Sequence, residues 1–282
     1  MKIKSAFLLG LSAVALASCG GVKEPNAYKN EVKKADFTAK FIENTKDNAL
    51  IYALEEGKQP FSFALKNEAH NESITSNLKG SSEYNKKTTT TDGEAELKYD
   101  SANKIVQQKE ESKTVFKGVA IEKEESDEFD SVLKLDSGFF YNINNTEKTF
   151  MKDEAPKEKA ELELFREAYG AVSSLISSVM SRASMANEEK TKFYIDDNIY
   201  TFVINEKDSN EDLKDSYSRT YLYQLVVNAD SIEYFYNYDY EQQYETSKYV
   251  THNKSHAIVE KKDVSVKSPD ISKYLDITPE TK

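Results

Sequence analysis

Apolar side chains recur at every second position through much of residues 61–151, and short polar turns separate the runs. A period of two places successive side chains on opposite faces of an extended chain, so each run has one apolar and one polar face. Connections this short leave no room for a crossover, and neighbouring runs must pair antiparallel with one wet face. Ala95, Leu97 and Tyr99 share a face, and the turn at 100–104 leads into Ile105 and Val106. Val115, Val119 and Ile121 read as a further run, with Gly118 as a bulge. Residues 132–135 meet 139–143 across Asp136, Ser137 and Gly138, a hairpin signature, and Asn144 to Glu147 turn the chain again into 148–151.

The pattern resumes late in the chain. Residues 193–195 and 199–204 form a hairpin across Asp196, Asp197 and Asn198, and 207–215 read as an acidic mobile loop. Residues 220–228 pair with 232–240 across Ala229 and Asp230, and 244–259 follow. Two stretches keep a helical period instead. In 26–56, Val32, Ala35, Ala39, Ile42, Ala49 and Leu54 recur at three- and four-residue spacing, with a break near 45–47 and a stop at Gly57 and Pro60. In 157–187, Ala160, Leu164, Ala168, Ala171, Leu175 and Val179 do so, and Phe165, Tyr169, Val172, Ile176 and Met180 widen the apolar face. A helix this apolar packs on the sheet. The expected class is α+β in one domain.

The N-terminus has a different character. Lys2 and Lys4 precede an apolar run from Ala6 to Ala17, shorter than the roughly 20 residues a spanning helix needs, so residues 1–18 read as a signal peptide. Leu16, Ala17, Ser18 and Cys19 resemble the bacterial lipobox, which implies cleavage before Cys19 and lipidation of its thiol. One acyl chain binds a membrane only marginally, so a stable anchor takes two or three. Cys19 is the single cysteine, which excludes intramolecular disulfides. Residues 19–27, with Gly20, Gly21, Pro25 and Asn26, read as a lipidated flexible tether, and 28–275 as the folded domain. Removing residues 1–18 takes the formal charge from −11 to −13, because they hold two lysines and no acid. That surface repels nucleic acid and anionic headgroups.

A lipidated N-terminus, a helix, a long meander, a helical insertion and a return to the meander together resemble the LolA/LppX superfamily of half-barrel lipoproteins and lipid carriers. The hairpin textures at 98–106 and 139–144 carry the likeness. It implies a large curved antiparallel sheet, a half-barrel, with an N-terminal helix and the long helical insertion on its concave face. It also implies an apolar cavity between sheet and helix.

Tyr234, Tyr236, Tyr238 and Tyr240 fall on one face of a strand, and Tyr221 and Tyr223 stand in the same phase on the strand before it. Flat apolar bodies with polar tips suit a wall for a hydrophobic or amphiphilic ligand, or packing against the helix. His252 and His256 stand four apart on a strand-like stretch, roughly 13 Å along it, too far to share an ion. Asp208 to Asp212 resemble a calcium loop only at their start, since Leu213 and Arg219 occupy the positions that need Gly and Glu. No phosphate-binding glycine loop or nucleophile elbow is present, and lipidation of Cys19 would leave no cysteine nucleophile. The expectations are therefore a monomeric, non-enzymatic lipoprotein without metal or cofactor. It is held on the extracytoplasmic face of a membrane and binds a lipid or other apolar ligand, with a self-filled surface interaction lipoprotein as the alternative.

Overall fold

A computed structural model describes residues 21–46, 48–52, 61–77, 86–157, 159–210 and 215–279. The signal segment and Cys19 lie outside the described residues, as do Leu54, Gly57 and Pro60. The chain forms a 13-stranded sheet. The strands are β1 Glu31–Val32, β2 Phe63–Asn77, β3 Lys87–Asp100, β4 Ile105–Lys117, β5 Glu122–Asp136, β6 Phe139–Asn144 and β7 Thr149–Glu154. They continue with β8 Thr191–Asp196, β9 Ile199–Asn210, β10 Asp215–Val227, β11 Ser231–Gln243, β12 Ser247–Lys261 and β13 Leu275–Asp276. The helices are α1 Lys34–Thr45, α2 Ala49–Tyr52 and α3 Ala160–Met185.

The spatial order is β1-β8-β9-β10-β11-β12-β2-β3-β4-β5-β6-β7-β13, so the sheet is curved and unclosed, with β1 and β13 at its edges. Two meanders, β2 to β7 and β8 to β12, join where β12 pairs with β2. All pairings are antiparallel except β13 on β7. The expected α+β half-barrel is the fold. Tight turns set the register of the meander. Between β5 and β6, Ser137 and Gly138 both take positive φ, 51° and 82°, the pair of left-handed residues that matches strand twist in a two-residue hairpin.

Helix α3 crosses the concave face. Leu164, Phe165, Ala168, Tyr169, Val172, Ile176, Val179 and Ala183 form its buried stripe. Phe165 lies among Phe61, Phe63, Tyr99 and Tyr169, with centroids 5.5–6.2 Å away. Phe37 and Phe41 of α1 fill the other wing against Phe193, Tyr200 and Phe202. Lys34 donates to the carbonyls of Ser184 and Ala186 at 2.7 and 2.9 Å, satisfying groups at the end of α3. The helices cover only one half of the long strands. β5, for example, is exposed from Glu122 to Phe129 and buried from Ser131 to Leu133.

The N-terminal residues read as a tether lie along the convex back of the sheet. The Asn26 amide donates to Gln224 Oε1 at 2.7 Å, and Gln224 Nε2 donates to the Asn26 carbonyl at 3.0 Å and to Thr201 Oγ1 at 2.8 Å. Lys23 pairs with Glu233 at 2.8 Å, Glu24 with Lys254, and the Lys29 amide donates to Asp196 at 2.8 Å. The C-terminal stretch crosses the same back on the other wing, where Val266, Ile271 and Tyr274 pack on Ile105, Val132, Ile143 and Phe150.

Several readings of the sequence need correction. Residues 118–121 are no bulged run but the turn between β4 and β5. Gly118 donates to the Ile121 carbonyl at 2.8 Å, and Val119 and Ile121 are 58% and 64% exposed. Residues 207–210 continue β9 instead of forming a loop, and 211–214 lie outside the described residues. Among the described residues, the helical pattern of 26–56 yields β1, α1 and the single turn α2. Val32 pairs with Phe193 instead of joining a helix.

Candidate functional site

Register brings the six predicted tyrosines onto the concave face of two adjacent strands. Tyr221 opposes Tyr238, Tyr223 opposes Tyr236, and Leu225 opposes Tyr234. The rings form a ladder. Phe202 and Tyr223 stack at 4.7 Å, Tyr223 and Tyr236 tilt together at 5.1 Å, and Tyr221 and Tyr238 stack at 4.7 Å. Tyr238 and Tyr240 continue it at 6.2 Å. Spacings of this size are those of favourable offset and tilted ring pairs.

The ladder grades from core to surface. Tyr223 is buried, and Tyr221, Tyr234 and Tyr236 are half-buried against the main core, where Ile232, Leu225 and Val227 complete the floor. Tyr238 and Tyr240 extend beyond it and stay half-buried. Burial pushes the phenols of Tyr223, Tyr234 and Tyr236 up from their ordinary value, with neighbouring phenols adding to it and Arg182 of α3 opposing. Burial, with Tyr221 next, pushes Tyr238 up to about 12. These hydroxyls stay protonated at neutral pH, and the wall carries no negative charge of its own.

Sequence reasoning missed the cation at the outer end. Arg219 stands in the same phase as Tyr221 and Tyr223 and opposes Tyr240. Its guanidinium carbon lies 4.8 Å from the centroid of Tyr217, and its Nε lies 3.3 Å from Glu206 Oε2. Hydrogen bonds to Tyr217 and Tyr221 hold it firmly charged. The signal was available, since the chain holds only Arg166, Arg182 and Arg219. Two of these three act on the tyrosine ladder.

The two predicted histidine positions fall on the convex face. His252 bonds to Asp239 at 2.7 Å, and His256 stacks on Phe235 at 4.7 Å. Among the described residues no three His, Cys, Asp or Glu side chains gather as a metal site. The cavities over β4 to β7, over β9 to β11 and over β2 to β4 include none of the six tyrosines in their linings. No described helix is long and apolar enough to cross a membrane.

No family model matches this chain, and no curated protein does. Among solved structures it is similar to one reported for lipid–protein interactions in lipovitellin, at 10% identity over 75% of this chain and a TM-score of 0.30. It spans only 26% of that chain, about a quarter of its length. It is also similar to a β-barrel-like protein of the domain of unknown function DUF1849 from Brucella abortus, at 10% identity and a TM-score of 0.14. That match covers 73% of this chain and all of the other. At these scores neither likeness bears on function, and the side chains must carry the reading.

Proposed function

We propose that the protein is a non-enzymatic lipoprotein, anchored through Cys19 to the extracytoplasmic face of a membrane. Its concave tyrosine wall holds an amphiphile. The observation that supports this reading is the graded ladder. Tyr221, Tyr236, Tyr238 and Tyr240 offer flat apolar surface where the helical cover ends, and Arg219 supplies a positive charge at the outer margin. The apolar body of a ligand would lie along the rings and an anionic head would meet the guanidinium.

A second reading, a surface interaction lipoprotein with a self-filled core, draws support from the packing under α3. There Phe61, Phe63, Tyr99, Phe165 and Tyr169 occupy the space between helix and sheet. Native mass spectrometry of the purified chain, with tyrosine fluorescence during oleate titration, separates the two. A retained lipid, or a saturable change that is lost in Tyr238→Ala and Arg219→Ala, supports the amphiphile site. An empty protein with flat fluorescence supports the self-filled core.

A further inference from the structure

The sheet narrows along β5, and the step leaves backbone open. β4 pairs with β5 from Glu122 to Lys134 without a bulge, whereas β6 pairs with it only from Ser131 to Asp136. Asp130, just past the end of β6, marks which backbone groups face that side. Its N–H donates to Thr146 Oγ1 and its C=O accepts from the Asn145 N–H, both at 2.8 Å. In a strand the N–H and C=O of one residue point to the same side, and those of the next residue to the other. Glu122, Glu124, Ser126 and Glu128 therefore turn theirs outward, in phase with Asp130. Among the described residues no strand pairs with that side of β5 before Ser131. The residues from Glu122 to Phe129 are exposed, so this edge is open to solvent. The two ends of the sheet are different, because β1 and β13 are two-residue strands, too short to template another chain.

Backbone alone would accept any extended segment, and the side chains select among them. Six of the nine residues 122–130 are acidic, and Lys123 is the single base. Pairing this edge with its own copy would set acid against acid across the strands, which is destabilising. A basic strand is favoured instead. Glu122, Glu124, Ser126 and Glu128 share the convex face with Val132, so a lysine or arginine at every second position would lie opposite each of them. Phe129 shares the concave face with Leu133 and is half-exposed, and an apolar residue at the inner end would cover its ring. We propose that the free edge of β5 takes up an extended basic segment of a partner protein as an added antiparallel strand, in line with β6. Main-chain bonds give such strand additions their affinity, and alternate side chains their specificity. No residue of the tyrosine wall takes part, so the edge and the amphiphile site stand or fall separately.

The probe is an acetylated and amidated octapeptide that begins with leucine and then alternates lysine and threonine. Amide hydrogen exchange of the full chain, followed by NMR, reads the edge residue by residue. With saturating peptide the amides of Glu122, Glu124, Ser126 and Glu128 exchange at least about ten-fold more slowly. Those of Lys123, Glu125 and Asp127 change little, because they face β4, as Leu135 in the same phase does when it donates to the Lys104 carbonyl at 3.0 Å. Ser126→Pro removes one outward N–H and no bond to β4, and it weakens the peptide about ten-fold with the melting temperature nearly unchanged. Glu124→Gln combined with Glu128→Gln weakens it about three- to ten-fold. The same peptide, N-methylated on the backbone nitrogens of its lysines, keeps its charge and loses its binding. No saturable binding, unchanged exchange at the four outward amides, or variants that bind like the parent would each overturn the assignment. Equal binding of the N-methylated peptide would reduce it to charge attraction and overturn it too. So would protection of those amides without peptide that deepens with protein concentration, which would give the edge to a second copy.

Discussion

Phe165→Ala tests whether α3 is seated on the sheet as described. The Phe165 ring is 1% exposed and lies among four aromatic partners, two of them, Phe63 and Tyr99, on neighbouring strands of the sheet. Truncating a fully buried phenylalanine costs about 3–5 kcal/mol, the transfer of the ring plus the cavity it leaves. The value should fall in the upper part of that range, because aromatic walls on rigid strands collapse poorly into a void. For a domain of this size each kcal/mol lowers the melting temperature by about 2–4 °C, which gives a drop of about 6–20 °C. Thermal unfolding followed by near-ultraviolet circular dichroism reads it directly, and urea midpoints at an unchanged slope confirm the free energy. Ser178→Ala on the exposed face of the same helix is the control, with an effect within about 0.5 kcal/mol. A drop below about 3 °C for Phe165→Ala, or one matched by Ser178→Ala, would refute the docking of α3 through this face.

Three further outcomes are expected. Gln224→Leu deletes the bonds to Asn26 and Thr201, lowers stability by about 1–3 kcal/mol and makes residues 21–30 cleavable in limited proteolysis, whereas unchanged cleavage would mean that the segment is held by other contacts. Burial holds the His256 imidazole below its ordinary range, with Lys23 adding to this and Glu233 and Glu68 opposing. The unfolded chain therefore takes the proton first, and stability is full above about pH 6.5 and declines as pH falls below it. Melting temperatures of wild type and His256→Gln should diverge in that window, and parallel curves would remove His256 as the cause. In alkaline phenolate titration Tyr234, Tyr236 and Tyr238 stay protonated through pH 10 in the native state, and stability falls as pH rises past that value. A single step near pH 10 for all 18 tyrosines would contradict the burial of the ladder.

Much of the architecture was legible because burial writes a period into the sequence. Ala95, Leu97 and Tyr99 face the core as their alternation requires, and the apolar stripe of 157–187 matches the buried face of α3. The tyrosine ladder was legible for the same reason. The first half of β5 was not. Glu122 to Asp130 are acidic on both faces, so no alternation exists, and the strand is held by its ladder and by cross-strand pairs such as Lys117 with Glu122 at 3.0 Å and Lys113 with Glu124 at 2.9 Å. Such exposed pairs contribute at most about 1 kcal/mol each, too little to select a pattern. The convex N-terminal segment was hidden differently. Gly21, Pro25 and Asn26 have the composition of a linker, and only the partner Gln224, 198 residues away, makes Asn26 a fixed point.

Were Cys19 lipidated as proposed, the bonded N-terminal segment would also limit how freely the domain could move above a surface. Lys23 pairs with Glu233 at 2.8 Å, and Cys19 is only four residues away. Covalent geometry keeps the Cα of residue 19 within about 14 Å of the Lys23 Cα. A lipid there would give the protein a short leash on one wing of its back instead of a swivel. The domain would then lie with its convex side toward the bilayer, and both the tyrosine ladder and the cavity over β4 to β7 would open away from it. An amphiphile would have to arrive from the aqueous side, carried or shed by another body, and could not slide up from the membrane beneath.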